Sequence, residues 1–257
     1  DVEVAAKSCM VLCQGETGGA DAVVTDISDT KITLSKTTAA YTGKEIRPTV
    51  TVKDGSVKLT EGTDYVLTYK NNKAMGYASI IVAGKGAYTG TKTVKFKIVP
   101  QQVKSLKQPY YGTTQIKMTW AKQSGVDGYT VYRATSKNGS YKTMKAVTGA
   151  TYADTSVKTG SKYYYKVRAY KLVDGQKLYG AYSEAKSMVS KPSATTVSLT
   201  AAKKAIKIKW AKAYGSNGYE VYMATSRYGT YKRIKNSNSW TFSCTKSNLK
   251  SGQRYYF

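Results

Sequence analysis

One stretch of this sequence is written twice. Residues 116 to 145, "IKMTWAKQSGVDGYTVYRATSKNGSYKTMK", overlay residues 206 to 235, "IKIKWAKAYGSNGYEVYMATSRYGTYKRIK", at a fixed offset of 90, with more than half the positions identical. Such a period means two consecutive modules of similar size, each with its own small core. Within the repeat Ile116, Met118 and Trp120 alternate with polar neighbours, and Ile206, Ile208 and Trp210 do the same in the second copy. A period of two puts one face of a β-strand in a core and the other in water. Asp127-Gly128, Asn138-Gly139 and Asp174-Gly175 in the first copy, and Asn217-Gly218 in the second, read as turn pairs supplying the positive φ of tight hairpins. Short alternating strands between such turns, with hardly any helical periodicity, predict an antiparallel β-sandwich.

The remaining chain divides into two further kinds of sequence. Residues 31 to 100 contain the strand-like runs "KITLS", "IRPTVTV", "DYVLTYK", "ASIIVAG" and "TVKFKIV", separated by Asp54-Gly55, Glu61-Gly62, Asn71-Asn72 and Gly84-Lys85-Gly86. Residues 1 to 30 hold six acids and one Lys, net −5, while 31 to 100, 101 to 190 and 191 to 257 carry +8, +11 and +12. The expected organisation is an N-terminal strand and acidic linker over 1–30, a β module over 31–100, a second over 102–190, and a third over 193–257 that lacks its last strands. "IVPQQV" (98–103) and "SKPSATTV" read as linkers, with prolines where strands must end.

Two resemblances follow from these residues. Trp120, "GYTVYR", and then Val157, Gly160, Tyr163, Tyr165, Val167 and Ala169 in the spacing V-x-x-G-x-x-Y-x-Y-x-V-x-A resemble the fibronectin type III domain. The resemblance implies that Tyr163 and Tyr255 are tyrosine-corner residues and that Tyr165, Val167 and Ala169 point into a core. It covers 102–190 well and 193–257 in part. The phrase "YTGKEIRPTVTVKDG … EGTDYVLTYKNN … GKGAYTGT" resembles the immunoglobulin-like, MBG-type repeats of secreted and surface proteins of Gram-positive anaerobic bacteria. Together they imply an all-β chain of tandem sandwich modules, one immunoglobulin-like and two fibronectin type III-like, in an extracellular, cell-surface or secreted setting. They specify fold rather than function.

Chemistry is scarce in the residues. The chain has no His, so the usual general base near neutral pH and the commonest metal ligand are absent. Three cysteines, Cys9, Cys13 and Cys244, lack the spacing and number of a zinc site. Glu61 and Asp64 flank Gly62-Thr63 in what reads as a turn, and of Asp127, Asp154, Asp174, Glu184 and Glu220 several lie beside Gly in turns, so paired-carboxylate catalysis is not expected. No cofactor is expected, nor a membrane-spanning segment. The reading is therefore a non-catalytic spacer or adhesion scaffold, with the accessory region of a secreted carbohydrate- or wall-degrading enzyme as one alternative.

Two surfaces stand out as candidate contacts. In "YYYKVRAY" the outer-face positions are Tyr164, Lys166, Arg168 and Tyr170, where rings beside cations can stack on sugars and hold acidic groups. Lys203, Lys204, Lys207, Lys209 and Lys212 form the densest basic stripe, suited to a polyanion, although lysines on alternate strand positions also protect sheet edges and solubility. Wall or host glycans are the expected partners, and nucleic acid is not.

A third reading concerns the ends. The sequence stops at Phe257 opposite Tyr165 of the first copy, while "VEVAAKSCMVL" (2–12) is similar to "YSEAKSMVSK" (182–191), in which the first copy has its last strand. Either the sequence is cut from a longer array, or Val2, Val4, Ala6, Met10 and Leu12 form a strand donated to the open module of a neighbouring copy, beside Phe257, making a filament.

Overall fold

The alternation becomes paired strands along most of the chain. The computed structural model describes residues 24–257. Among them the only helical element is a single 3-10 turn, Ile27–Asp29, and no helix is long and apolar enough to cross a membrane. The architecture is all-β, with tandem sandwich modules, as the sequence predicts. The proposed donor residues Val2, Val4, Ala6, Met10 and Leu12 lie outside the described residues.

These residues gather into two compact units. The first comprises 24–37, 47–72 and 78–96. In it Val50–Asp54 pairs antiparallel with Lys31–Leu34 and with Val57–Lys58, while Tyr65–Lys70 pairs antiparallel with residues 79–84. Val50, Val52, Tyr65, Ile80, Val82 and Phe96 are buried because they occupy inward alternate positions. Residues 25–30, expected in the acidic linker, belong to this unit instead. Thr25–Asp26 runs parallel to Tyr88–Thr89, and Ile27 is fully buried. Asp26 caps the following turn by accepting from the Ser28 N–H at 2.8 Å.

The second unit comprises 38–46, 73–77 and 97–257, and contains both copies of the repeat. In the first copy a sheet of Lys107–Tyr111, Ile116–Thr119 and Thr151–Asp154 faces a sheet built on Gly128–Ala134 and Lys162–Val173. The long Lys162–Val173 strand pairs Lys186–Val189 along its first part and Gln176–Tyr179 along its last. Ile116, Met118, Trp120, Tyr129, Val131, Tyr165, Val167 and Met188 from both sheets form one core. The predicted linker 98–103 shortens accordingly, since Thr91–Val99 stays strand and Val103 joins that core.

The second copy repeats the first sheet as Val197–Ala202, Ala205–Trp210 and Ser243–Ser247, with Gly218–Met223 and Lys232–Asn238 opposite. Ile208, Trp210 and Val221 form its core, and Phe257 packs against them. Two tyrosine hydroxyls brace each copy. Tyr163 and Tyr255 accept from the N–H groups of Lys158 and Lys250, both at 3.0 Å, the corner role the resemblance implies. Tyr129 and Tyr219 do the same for Gln123 (2.7 Å) and Ala213 (2.8 Å), a lock that the sequence reading missed.

The turn reading is only partly right. Asp174-Gly175 is a hairpin with φ of 50° and 74°. Gly128 and Gly218 open strands instead, and the positive φ falls three residues earlier, at Gly125 and Gly215. Gly128 is needed for closeness: a Cβ there would lie 2.6 Å from the Tyr170 hydroxyl and from the Val147 carbonyl oxygen.

Candidate functional site

The Gly128–Ala134 and Lys162–Val173 strands place a row of rings and cations on the side of their sheet away from the core. Register sets Tyr132 opposite Lys166, Thr130 opposite Arg168 and Ala134 opposite Tyr164. Because a strand alternates, Tyr165, Val167 and Ala169 are fully buried while Tyr164, Lys166 and Arg168 are half-buried on the other face.

Arg168 is the centre of this face. Its guanidinium lies 3.7 Å from the Tyr179 ring centroid, 4.6 Å from that of Tyr182 and 5.2 Å from that of Tyr132. Its Nε donates to the Tyr132 hydroxyl at 2.9 Å. Burial raises the Tyr132 pKa, keeping the phenol neutral at ordinary pH. Tyr132 and Tyr182 meet edge to face at 5.1 Å. Lys166 then bridges outward, 4.4 Å from the Tyr141 centroid and 6.0 Å from that of Tyr182. Arg168 is thereby fixed by three quadrupoles and a hydrogen bond, which favours a rigid platform over a mobile charge.

The four residues predicted here are not equivalent. Tyr164, Lys166 and Arg168 hold their expected places. Tyr170 does not remain available, being 7% exposed. Tyr179 packs against it edge to face at 5.9 Å and Lys177 covers it at 4.4 Å, because the Asp174-Gly175 turn folds the next strand back over it. Tyr132, Tyr141, Tyr179 and Tyr182 were missed. Tyr132 and Tyr179 reach Arg168 from neighbouring strands and Tyr182 from the loop that follows Gln176–Tyr179, while Tyr141, just before Lys142–Val147, reaches Lys166. Tyr182 is the most open of the rings, at 40% exposed, and Gln102 Nε2 holds its backbone by donating to its carbonyl at 2.8 Å.

The basic stripe of the second copy also divides. Lys207 and Lys209 project from one face of Ala205–Trp210, and Lys203 and Lys204 form the turn before it, all exposed. Lys212 lies beyond the strand over the rings of Tyr214 (5.6 Å) and Trp240 (5.5 Å), outside the row. Phe257 is half-buried on the core of the second copy.

The acids are used locally. Asp64 accepts from the Thr60 N–H at 2.7 Å, closing its own turn. Asp127 accepts from Lys171 Nζ at 3.0 Å and from the Leu172 N–H, and these bonds, the backbone one foremost, lower its pKa. Asp154 is 1% exposed and accepts from Arg133 Nη1, Tyr165 Oη and Ser156 Oγ, each at 2.8 Å. Burial alone would raise its pKa, but these bonds outweigh burial and hold it below the ordinary carboxylate value. Among the described residues no group of three His, Cys, Asp or Glu side chains gathers as a metal would require.

No family model matches the chain. It is similar to the amylopullulanase of Thermoanaerobacterium saccharolyticum, 36% identical over 59 residues, which is 23% of this chain and 5% of that protein's length. Among known structures it is similar to a Fn3-like protein from Clostridium thermocellum (31% identity, 32% of this chain and 85% of that one, TM-score 0.27). It is also similar to the FN1-FN3 domains of chicken CNTN1 (15% identity, 87% and 89% covered, TM-score 0.32). What the chain itself shows is two β-sandwich copies with the same strand pairing.

Proposed function

We propose that this chain is a non-catalytic modular region of an extracellular protein that acts on polysaccharide, and that its first fibronectin type III-like copy touches the glycan. The observation that carries this reading is the Tyr141–Lys166–Tyr182 edge of the Arg168 cluster. An exposed ring next to a half-buried one, with an ammonium between them, offers apolar stacking surface and hydrogen-bond donors to a sugar chain. Rings held by their neighbours lose little freedom on binding, which matters where each contact is weak. The 59-residue likeness to an amylopullulanase supports the accessory role. In that role the modules would keep a catalytic domain, encoded outside these residues, close to insoluble substrate.

The test is co-sedimentation of the full chain with insoluble starch, cellulose and peptidoglycan sacculi, set against Tyr182→Ala and Tyr141→Ala. Retention on at least one of these polymers, reduced about tenfold by Tyr182→Ala, is expected from the loss of roughly 1.4 kcal/mol of stacking. Equal retention of the variants and the parent would overturn the assignment of this face.

A further inference from the structure

We infer that the second copy carries a separate binding surface for an acidic, carboxylate-bearing polysaccharide, formed by the outer face of the sheet Val197–Ala202, Ala205–Trp210 and Ser243–Ser247. It does not depend on the aromatic face of the first copy. Three observations support it.

The first is charge without internal compensation. Residues 191 to 257 contain 13 Lys and Arg and a single acid, Glu220. That acid is already engaged, accepting from Arg233 Nη1 at 2.5 Å and from the Tyr222 hydroxyl at 2.6 Å. No carboxylate in this stretch is left to neutralise the lysines, so the surface draws an external anion.

The second is the arrangement of that face. Lys207 and Lys209 lie two residues apart, roughly 7 Å along the strand. Thr200 and Thr245 stand on either side of Lys207, and Ser198 and Ser243 on either side of Lys209, all exposed. The same strand leads back to the Lys203-Lys204 turn, where Lys203, Lys204 and Lys250 line one hollow with Gln253 and Tyr255. That turn is fixed, with Lys204 at φ 50° and its carbonyl accepting from the Leu249 N–H at 3.0 Å.

The third is what the face omits. The neighbours of Lys207 and Lys209 are all Thr or Ser, so along the strands bases have no row of rings to stack on, and Tyr255 in the hollow is a single ring. Its cations are lysines, point charges that hold an anion without fixing its geometry, which suits acidic groups spaced along a flexible polymer. Rows of hydroxyls flanking point charges suit a chain whose units each present hydroxyls and a carboxylate.

The experiment measures binding of the full chain to polygalacturonate at two salt concentrations, with dextran as the uncharged polymer and single-stranded oligo(dT) as the nucleic-acid arm. A variant with Lys203, Lys204, Lys207 and Lys209 all changed to Gln is compared with one in which the exposed Lys142, Lys145, Lys162 and Lys186 of the first copy are changed to Gln, which matches its net charge. The milder Lys207→Gln/Lys209→Gln pair guards against a folding defect. Expected is binding to polygalacturonate that weakens steeply with salt, no binding to dextran through this face, and a loss of about tenfold or more for the stripe variant only, with the pair intermediate. Equal loss in the matched variant would reduce the effect to net charge and overturn the site. Oligo(dT) binding tighter than polygalacturonate would replace the polysaccharide with nucleic acid. Absence of polygalacturonate binding at low salt would overturn the inference outright.

Discussion

Where the first copy of the repeat buries a carboxylate bonded to an arginine and a tyrosine, the second has no carboxylate at the corresponding place. Arg133 corresponds to Met223 at the offset of 90, and strand register matches Asp154 and Tyr165 to Lys246 and Phe257 at an offset of 92. Asp154 faces Ile116 as Lys246 faces Ile206, and Ala134 faces Tyr164 as Ala224 bridges Tyr256. In the first copy the carboxylate is out of water and fully bonded. In the second, Phe257 packs on Ile208, Trp210 and Val221, and Lys246 is half-buried. One strand skeleton thus accepts either solution. A buried ion pair adds little net stability over a packed apolar set, but it is costly to break from one side, so the copies should respond differently to similar insults.

The largest difference is expected for Asp154→Ala. It leaves Arg133 and Tyr165 without their acceptor and should cost the first copy about 3 kcal/mol or more. Hydrogen exchange, read on peptides from each copy of the full chain, should speed up across Gly128–Ala134 and Lys162–Val173 and leave Gly218–Met223 unchanged. Loss spread evenly over both copies would break the comparison.

The next difference is pH. Asp154 sits below its unfolded value, so its contribution is whole above about pH 4 and is lost as pH falls through the lower folded value. Tyr165 is shifted the other way, by burial and then by its bond to Asp154, so its contribution is whole below about pH 10 and is lost as pH rises beyond that. Met223 and Phe257 do not titrate. Peptides of the first copy should lose protection at both extremes, and the corresponding core peptides of the second should respond less.

The smallest difference sharpens the match instead of breaking it. Tyr163→Phe and Tyr255→Phe each remove one corner hydroxyl and should each cost about 1 kcal/mol in thermal or denaturant unfolding. A large cost in one and none in the other would mean the corners are not equivalent.

What the sequence disclosed follows the range over which its physics acts. Alternation is local, so strands such as "IKMTW" and the inward set Tyr165, Val167 and Ala169 were legible, whereas the corner tyrosines came from the resemblance to the fibronectin type III domain. The Arg168 cluster was half legible. Tyr164, Lys166 and Arg168 follow from the period within one strand, whereas Tyr132 and Tyr179 depend on register between strands and Tyr141 and Tyr182 on the loops beside them, which no single segment encodes. Tyr170 failed as a contact for the same reason, since alternation assigns a face and cannot report that a later strand covers it. The Arg133–Asp154–Tyr165 knot stayed hidden because its members lie on separate strands of both sheets. Lys212 was counted into a stripe that ends, by strand geometry, at Trp210.

The claim that the first copy carries the glycan face is tested most directly by removing two tyrosines from each copy in the full chain. Tyr132 and Tyr141 correspond to Tyr222 and Tyr231, but Tyr222 donates to Glu220, and both are more than a third exposed. Binding to the retained insoluble polysaccharide is measured for Tyr141→Ala/Tyr182→Ala and for Tyr222→Ala/Tyr231→Ala. A loss of about tenfold or more in the first pair, with parental binding in the second, is the predicted result. Equal loss in both, or loss in the second pair alone, would contradict it.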